Sequence, residues 1–149
     1  MTAKPRVLFL CTHNAARSQM AEGIMRHLGH GAVDVYSAGT EPSHVHPLAV
    51  KAVRRLLGVD IGNQRSKHLN EFVGQRFDYV ITVCDRAREA CPVFPGDPER
   101  IHWSFDDPAA VQGSEDERYR AFRTIAAELS TRIRQLLVII ERNAKPATA

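Results

Sequence analysis

Cys11 and Arg17 stand six positions apart, with Ser18 directly after them and the polar residues Thr12, His13 and Asn14 between. If this segment joins a strand to a helix, its backbone N–H groups converge at the helix N-terminus, where unpaired donors and the macrodipole both favour an anion. Residues Thr12, His13, Asn14, Ala15, Ala16 and Arg17 then form a cradle that fits a tetrahedral oxyanion. The guanidinium of Arg17 adds a planar fork able to grip two of the oxygens. The field that holds the anion also holds a thiolate, so a lowered pKa is expected for Cys11, with Ser18 donating a hydrogen bond to it. A Cys and an Arg at this spacing are a common accident, and a lone Cys at a strand end is usually a small buried hydrophobe. The full order of apolar run, Cys, five residues, Arg-Ser and amphipathic stretch gives every part a mechanical role and points to nucleophilic attack by Cys11.

The neighbouring residues supply the elements such a loop needs. Arg6 to Leu10 reads as a buried strand, and from Ser18 onward Met20, Ile24 and Leu28 recur at helical spacing until Gly29 and Gly31. Asp34 to Ser37, closed by Ala38-Gly39, is a second strand, and a second helix runs from about His46 to Leu57 with Pro47 in its first turn. A short helix is expected over Leu69 to Gln75, and the β-branched run Tyr79 to Val83 predicts a central strand. Cys84 to Pro98 contains Pro92, Pro95, Gly96 and Pro98 and is read as a mobile loop. Ile101 to Trp103 is a last short strand, Asp106-Asp107-Pro108 a turn, Glu115 to about Arg142 a long helix, and 143–149 a frayed tail. Alternating strands and helices imply an α/β fold: a single three-layer domain over residues 1–149 with a central four-stranded parallel sheet flanked by helices. Ligands bind such sheets at the carboxyl ends of the strands, and the loop leaving the first strand is the place to look.

Bulk properties narrow the function classes. No apolar run approaches the roughly 20 residues of a membrane span, and Met1 to Pro5 leads straight into the short run Val7 to Leu10 without a secretory signal, so a cytoplasmic location is expected. The formal net charge is +3, with Lys and Arg scattered among Asp and Glu, which argues against nucleic acid as a partner. The three cysteines are an odd number, so free, catalytic or redox-active thiols are expected in place of structural disulfides. No close Cys or His pair has a usual metal-ligand spacing, and a zinc site recruiting His102 is a poor reading. His44 and His46 fall in an expected loop and read as solvated. No helix shows an unexplained apolar stripe, so a monomer is expected.

With these residues in view, the chain resembles the low-molecular-weight protein tyrosine phosphatase superfamily, whose signature is Cys, five residues, Arg, then Ser or Thr after the first strand. Within it, Cys11 to Gly23 together with Tyr36-Ser37-Ala38-Gly39-Thr40 is similar to the thioredoxin-coupled arsenate reductases, and the likeness spans Val7 to about Leu137. The resemblance implies that the aspartate of Asp107-Pro108 protonates the leaving group; read alone, Asp107 is also an ordinary turn or N-cap aspartate. It further implies a relay in which Cys11 displaces an arsenate oxygen, Cys84 attacks the resulting adduct and releases arsenite, and Cys91 attacks Cys84, leaving a Cys84–Cys91 disulfide that thioredoxin reduces. Phosphate and sulfate would enter the same loop as mimics, and no tightly bound cofactor is required.

Reducing As(V) to As(III) takes two electrons from thiols, which hydrolysis does not need, so a second thiol within reach separates the reductase from an aryl phosphatase. Cys84 and Cys91 are seven positions apart, roughly 10 Å on a continuous helix, so they bridge only if the chain between them rearranges. The alternatives are a buried strand-end Cys84 and an incidental Cys91, and beyond these a non-enzymatic oxyanion or thiol sensor. Two departures from the family stand out. His13 replaces the glycine of many members, either tuning the anion loop or pointing outward. Some relatives bind potassium through residues matching Asn14, Glu22, Ser37 and an aspartate, but here Asn63-Gln64-Arg65-Ser66 is followed by Lys67, whose ammonium is expected to pair with Glu22 in place of the metal.

Overall fold

The computed structural model describes residues 4–144. Strands β1 (Arg6–Cys11), β2 (Asp34–Gly39), β3 (Tyr79–Thr82) and β4 (Glu99–His102) form one parallel sheet in the order β2-β1-β3-β4. Helices α1 (Arg17–Leu28), α2 (Pro47–Leu57), α3 (Asp85–Glu89) and α4 (Glu115–Ala144) flank it, giving the three-layer α/β arrangement expected of the sequence. Central β1 is paired on both sides, which explains its unbroken apolar run: Val7, Leu8 and Phe9 are fully buried. Because β2 and β3 lie on opposite sides of β1, the loop after β1 opens at the point where strand order reverses.

The helices are held by the faces their sequences advertise. Met20, Ile24 and Met25 of α1 are fully buried, as are Phe122, Leu129 and Ile133 of α4, and these two helices pack against each other. Gly58 ends α2 at φ 71°, a left-handed turn that L side chains resist. Among the described residues no helix is long and apolar enough to cross a membrane.

Several boundaries differ from the sequence reading, each for a local reason. The segment expected to be loop from Cys84 begins with the five-residue α3; Asp85 to Glu89 contains neither Gly nor Pro, and Ala87 buries itself against the sheet at 2 % exposure. Strand β4 starts at Glu99, ahead of the apolar residues, because an edge strand leaves Glu99 and Arg100 in solvent and so loses its hydrophobic signature. The helix expected after Leu69 shrinks to a 3₁₀ turn at Leu69–Glu71, capped by the His68 ring. Asn143 is not frayed: it lies in α4 and its amide donates to the Tyr79 hydroxyl at 2.8 Å, while 145–149 lie outside the described residues.

Candidate functional site

The segment from Cys11 to Ser18 closes into a concave loop because its carbonyls are claimed from outside. Thr12 O accepts from Glu41 N at 2.8 Å, His13 O from Ser43 N at 3.2 Å and from Ser66 Oγ at 3.1 Å, and Ala15 O from His46 N at 2.9 Å. With the carbonyls held outward, the amides are left for the concavity. Ala16, the N-cap of α1, offers no side-chain cap, so the helix N-terminus also keeps its donors for a ligand.

Asn14 fixes the bend. It adopts φ 48° and is fully buried. Its amide donates to Ser18 Oγ at 2.8 Å and Ser37 Oγ at 2.9 Å, while its Oδ1 accepts from Gln19 Nε2 at 2.8 Å and Lys67 N at 2.9 Å. Each of these groups is buried, so losing Asn14 leaves several unpaired. Gly39 at the end of β2 completes the support: a Cβ there would meet Thr12 O at 2.5 Å and Asn14 N at 2.8 Å, so only glycine lets the strand approach the loop. Sequence reading missed the Gln19 contribution; its signal was a polar residue at a position of α1 that faces inward.

Cys11 ends β1 at 3 % exposure with its Sγ 2.8 Å from Ser18 Oγ. Ser18 Oγ also accepts from Asn14 Nδ2, which holds the hydroxyl within hydrogen-bond reach of the sulfur. The expected lowering of the Cys11 pKa is not what the free loop gives. Burial pushes the thiol up, and this outweighs the opposing pull of the Ser18 hydroxyl, the Ser18 and Asn14 amides and the Arg17 charge. The sulfur therefore waits as a protonated thiol inside a donor-rich pocket.

Arg17 reaches across to the loop after β4. It donates from Nη1 to Phe105 O at 3.0 Å and lies 3.9 Å from Asp107 Oδ2. Asp107 also accepts from Ala109 N at 3.0 Å, so the aspartate is both the cap of a 3₁₀ turn and a carboxyl held at the rim of the anion loop. Trp103 packs between Phe9, tilted at 6.1 Å, and Phe105, edge-on at 6.3 Å, and so ties the segment before Asp107 to the sheet. The structure thus brings Asp107, distant in sequence, to the loop that carries Cys11, Arg17 and Ser18.

Of the other two thiols, one is docked on the same loop. Cys84, 6 % exposed at the start of α3, places its Sγ 3.3 Å from Thr12 Oγ1. Cys91 lies half-buried two residues past the end of α3, with Sγ 3.6 Å from Pro92 O, and burial raises its pKa against the pull of Arg100. All three cysteines are free.

The histidines and Lys67 resolve the departures. His13 points outward, its Nδ1 donating to Glu41 O at 3.1 Å. Lys67, 9 % exposed, sets its Nζ 3.5 Å from Glu22 Oε1, whose carboxylate also accepts from Ser37 Oγ at 2.6 Å and pairs with Arg26 at 3.0 Å. Burial lowers the Lys67 pKa and Glu22 opposes that shift. The oxygens that would ligate a potassium ion are spoken for, and an ammonium stands beside them, so these residues do not fit the ion.

His46 departs from its expected solvated state, although His44 is exposed as anticipated. Its Nδ1 accepts from Leu48 N at 3.1 Å to cap α2, and its ring stacks 4.5 Å from Phe122. Burial first, then Arg118 and His44, pushes its pKa below 6.5, with Asp107 acting in the opposite sense. The neutral ring is the folded form, so its contribution is complete above pH 6.5 and is lost as the pH falls through the lower folded value. Unfolding free energy should therefore decline more steeply as the pH falls below 6.5 than in a His46→Asn variant, whose cap does not titrate. Equal slopes in chemical denaturation of the two proteins would show that the ring does not act this way.

Comparison with known proteins fits this geometry. The family model for low molecular weight phosphotyrosine protein phosphatase matches residues 6–146. The arsenate reductase of Halalkalibacterium halodurans is 43 % identical over 131 residues, covering 88 % of this chain and 94 % of that protein; the arsenate reductase of Bacillus subtilis is 40 % identical, covering 87 % and 92 %. Among solved structures, an arsenate reductase in its oxidised state superposes with TM-score 0.77 at 31 % identity over 91 % of this chain and 98 % of that one. The thioredoxin-dependent arsenate reductase of Corynebacterium glutamicum gives 0.74 at 32 % over 95 % of this chain and 64 % of that one. A concave loop at a helix N-terminus, headed by a buried cysteine, on a sheet of this order and in a chain whose residues 6–146 match the family model, leads to one assignment: the protein belongs to the low molecular weight phosphotyrosine protein phosphatase family.

Proposed function

We propose that this protein is an arsenate reductase, a single-domain cytoplasmic enzyme that works as a monomer and draws its electrons from thioredoxin. The observation that carries this reading is the position of Cys84: a second thiol docked 3.3 Å from a side chain of the anion loop itself, which hydrolysis does not require.

The chemistry follows from the positions of the sulfurs. Arsenate enters the amide cradle of Thr12 to Arg17, gripped by the Arg17 fork. The protonated Cys11 suits a dianionic ligand, because a thiolate would add a further negative charge to the pocket. The thiol proton passes to an oxygen of the bound arsenate and Cys11 attacks arsenic as the thiolate: an S–As bond forms, an As–OH bond breaks, and that same proton, relayed through Asp107, lets the hydroxyl leave as water. Cys84 then attacks the Cys11 sulfur: an S–S bond forms, the S–As bond breaks, and arsenic keeps the electron pair and leaves as arsenite. Cys91 attacks Cys84, frees Cys11 and carries the disulfide from a buried site to the half-exposed position where thioredoxin can reach it. This last step requires α3 to unwind, since Cys84 and Cys91 bracket it.

The test is arsenate-dependent NADPH consumption in the presence of thioredoxin and thioredoxin reductase. Turnover that needs all of these components supports the reading; consumption of aryl phosphate alone would assign the protein to hydrolysis. Because Lys67 occupies the cation position, exchanging potassium for sodium at constant ionic strength should alter kcat/KM by less than the roughly fivefold that marks energetic coupling between two sites. A large potassium stimulation would overturn that expectation.

A further inference from the structure

Beside the relay cysteines lies a hydrogen-bonded chain that the mechanism above does not use. His102, the last residue of β4, sets its Nδ1 2.7 Å from Thr82 Oγ1, at the end of β3, and its Nε2 3.0 Å from Asp85 Oδ1. A carboxylate only accepts, so Nε2 carries the hydrogen and donates. Asp85 is the first residue of α3 and the next residue after Cys84. The ring is only 19 % exposed and is held at both nitrogens, so the sheet presents a fixed donor to the start of a five-residue helix. Thr82 and His102 also line a cleft of about 250 Å³ that Cys91 shares with Arg88 and Arg100. The chain therefore ties down one relay thiol while it borders the space open to the other.

We propose that Asp85 and His102 are positioning residues that hold α3 wound and Cys84 against Thr12 until Cys91 attacks. The proposal rests on the relay reading above. A bridge between Cys84 and Cys91 needs the residues between them to move, Asp85 first among them, so the Asp85–His102 bond is present in the dithiol and broken in the disulfide. Removing it raises the relative stability of the disulfide.

The experiment equilibrates full-length protein, in a Cys11→Ser background that leaves only these two thiols, with dithiothreitol at graded ratios of reduced to oxidised form. Each bridge closes as two protein thiols lose two electrons and two protons to oxidised dithiothreitol, and the remaining thiols are counted by alkylation and mass. His102→Ala and Asp85→Ala should each shift the equilibrium toward disulfide by about fivefold, the worth of an ordinary part-exposed hydrogen bond, which is about 20 mV more reducing. The double variant should shift no further than either single one. Asp85→Asn keeps an acceptor for Nε2 and should restore the original potential, which a loss of charge at the helix start would not do. The Asp85 side chain is 66 % exposed, so its replacement leaves the fold intact if His102→Ala does not. Potentials equal to that of the parent in both alanine variants, additive shifts, or an asparagine variant that behaves like alanine would overturn the proposal. Absence of any Cys84–Cys91 bridge in the parent would overturn the relay reading instead.

Discussion

In a Cys91→Ser protein, one arsenite should leave per chain and turnover should then stop; in a Cys84→Ser protein no arsenite should leave at all. The difference comes from where the sulfurs lie. Without Cys91 the chain still supplies two thiols, so arsenic is reduced once and a Cys11–Cys84 disulfide remains. Cys11 and Cys84 are both buried, at 3 % and 6 % exposure, so a bridge between them should be out of reach of thioredoxin. Without Cys84 the thiol placed against the loop is gone and only the half-buried Cys91 beyond α3 remains, so steady-state reduction should fall below about a thousandth of the original rate. Slow aryl phosphate hydrolysis, which needs only the anion loop and Cys11, should survive both changes and vanish in Cys11→Ser. Rapid-quench arsenite counting with alkylation mapping of the thiols checks each outcome. Normal steady-state reduction by the Cys84 or Cys91 variant would remove the relay.

Arg17→Lys should cost about 10²- to 10³-fold in kcat/KM, a loss comparable to removal of one preorganised oxyanion donor. Charge is conserved, so what is lost is the fork: one arm donates to Phe105 O at 3.0 Å and the other lies near Asp107, and a single ammonium cannot keep the rim aligned while gripping two ligand oxygens. Binding should report the same loss without chemistry. Phosphate at one fixed concentration, a hundred times the parent's dissociation constant, should stabilise the parent and the Cys84→Ser protein by about 2.7 kcal/mol, and the Arg17→Lys protein by much less, as read from thermal melts. Equal stabilisation of all three would mean that the backbone alone binds the anion.

The elements were legible in the sequence where one physical demand acted alone. β1 is buried on both sides and reads as an unbroken apolar run; α1, with Met20, Ile24 and Met25 inward, reads as a period of 3.6. The strand-loop-helix form of the Cys11 to Ser18 segment was legible because an apolar run, a polar stretch and an amphipathic stretch follow one another there. What stayed hidden depended on partners distant in sequence. The solvent-facing Glu99 and Arg100 of β4 gain their strand conformation only from pairing with β3, and His46 reads as a loop residue until Phe122 is seen against its ring. The protonation of Cys11 was misjudged because its spacing reveals the donors around the sulfur but not the depth of its burial, and here burial wins. The clasp between Asp85 and His102 could not be found from spacing at all, since the two meet across the C-terminal edge of a folded sheet.

The outward-held carbonyls of the anion loop carry a consequence for selectivity. A cradle made of main-chain amides measures shape and charge, and arsenate and phosphate present nearly the same of both. Such a site admits either one and leaves discrimination to what sulfur can do afterwards: the pentavalent arsenic centre accepts an electron pair, whereas the phosphorus centre can only be handed to water. Phosphate should then compete with arsenate, and where phosphate is abundant the working affinity for arsenate should be set as much by that background as by the loop.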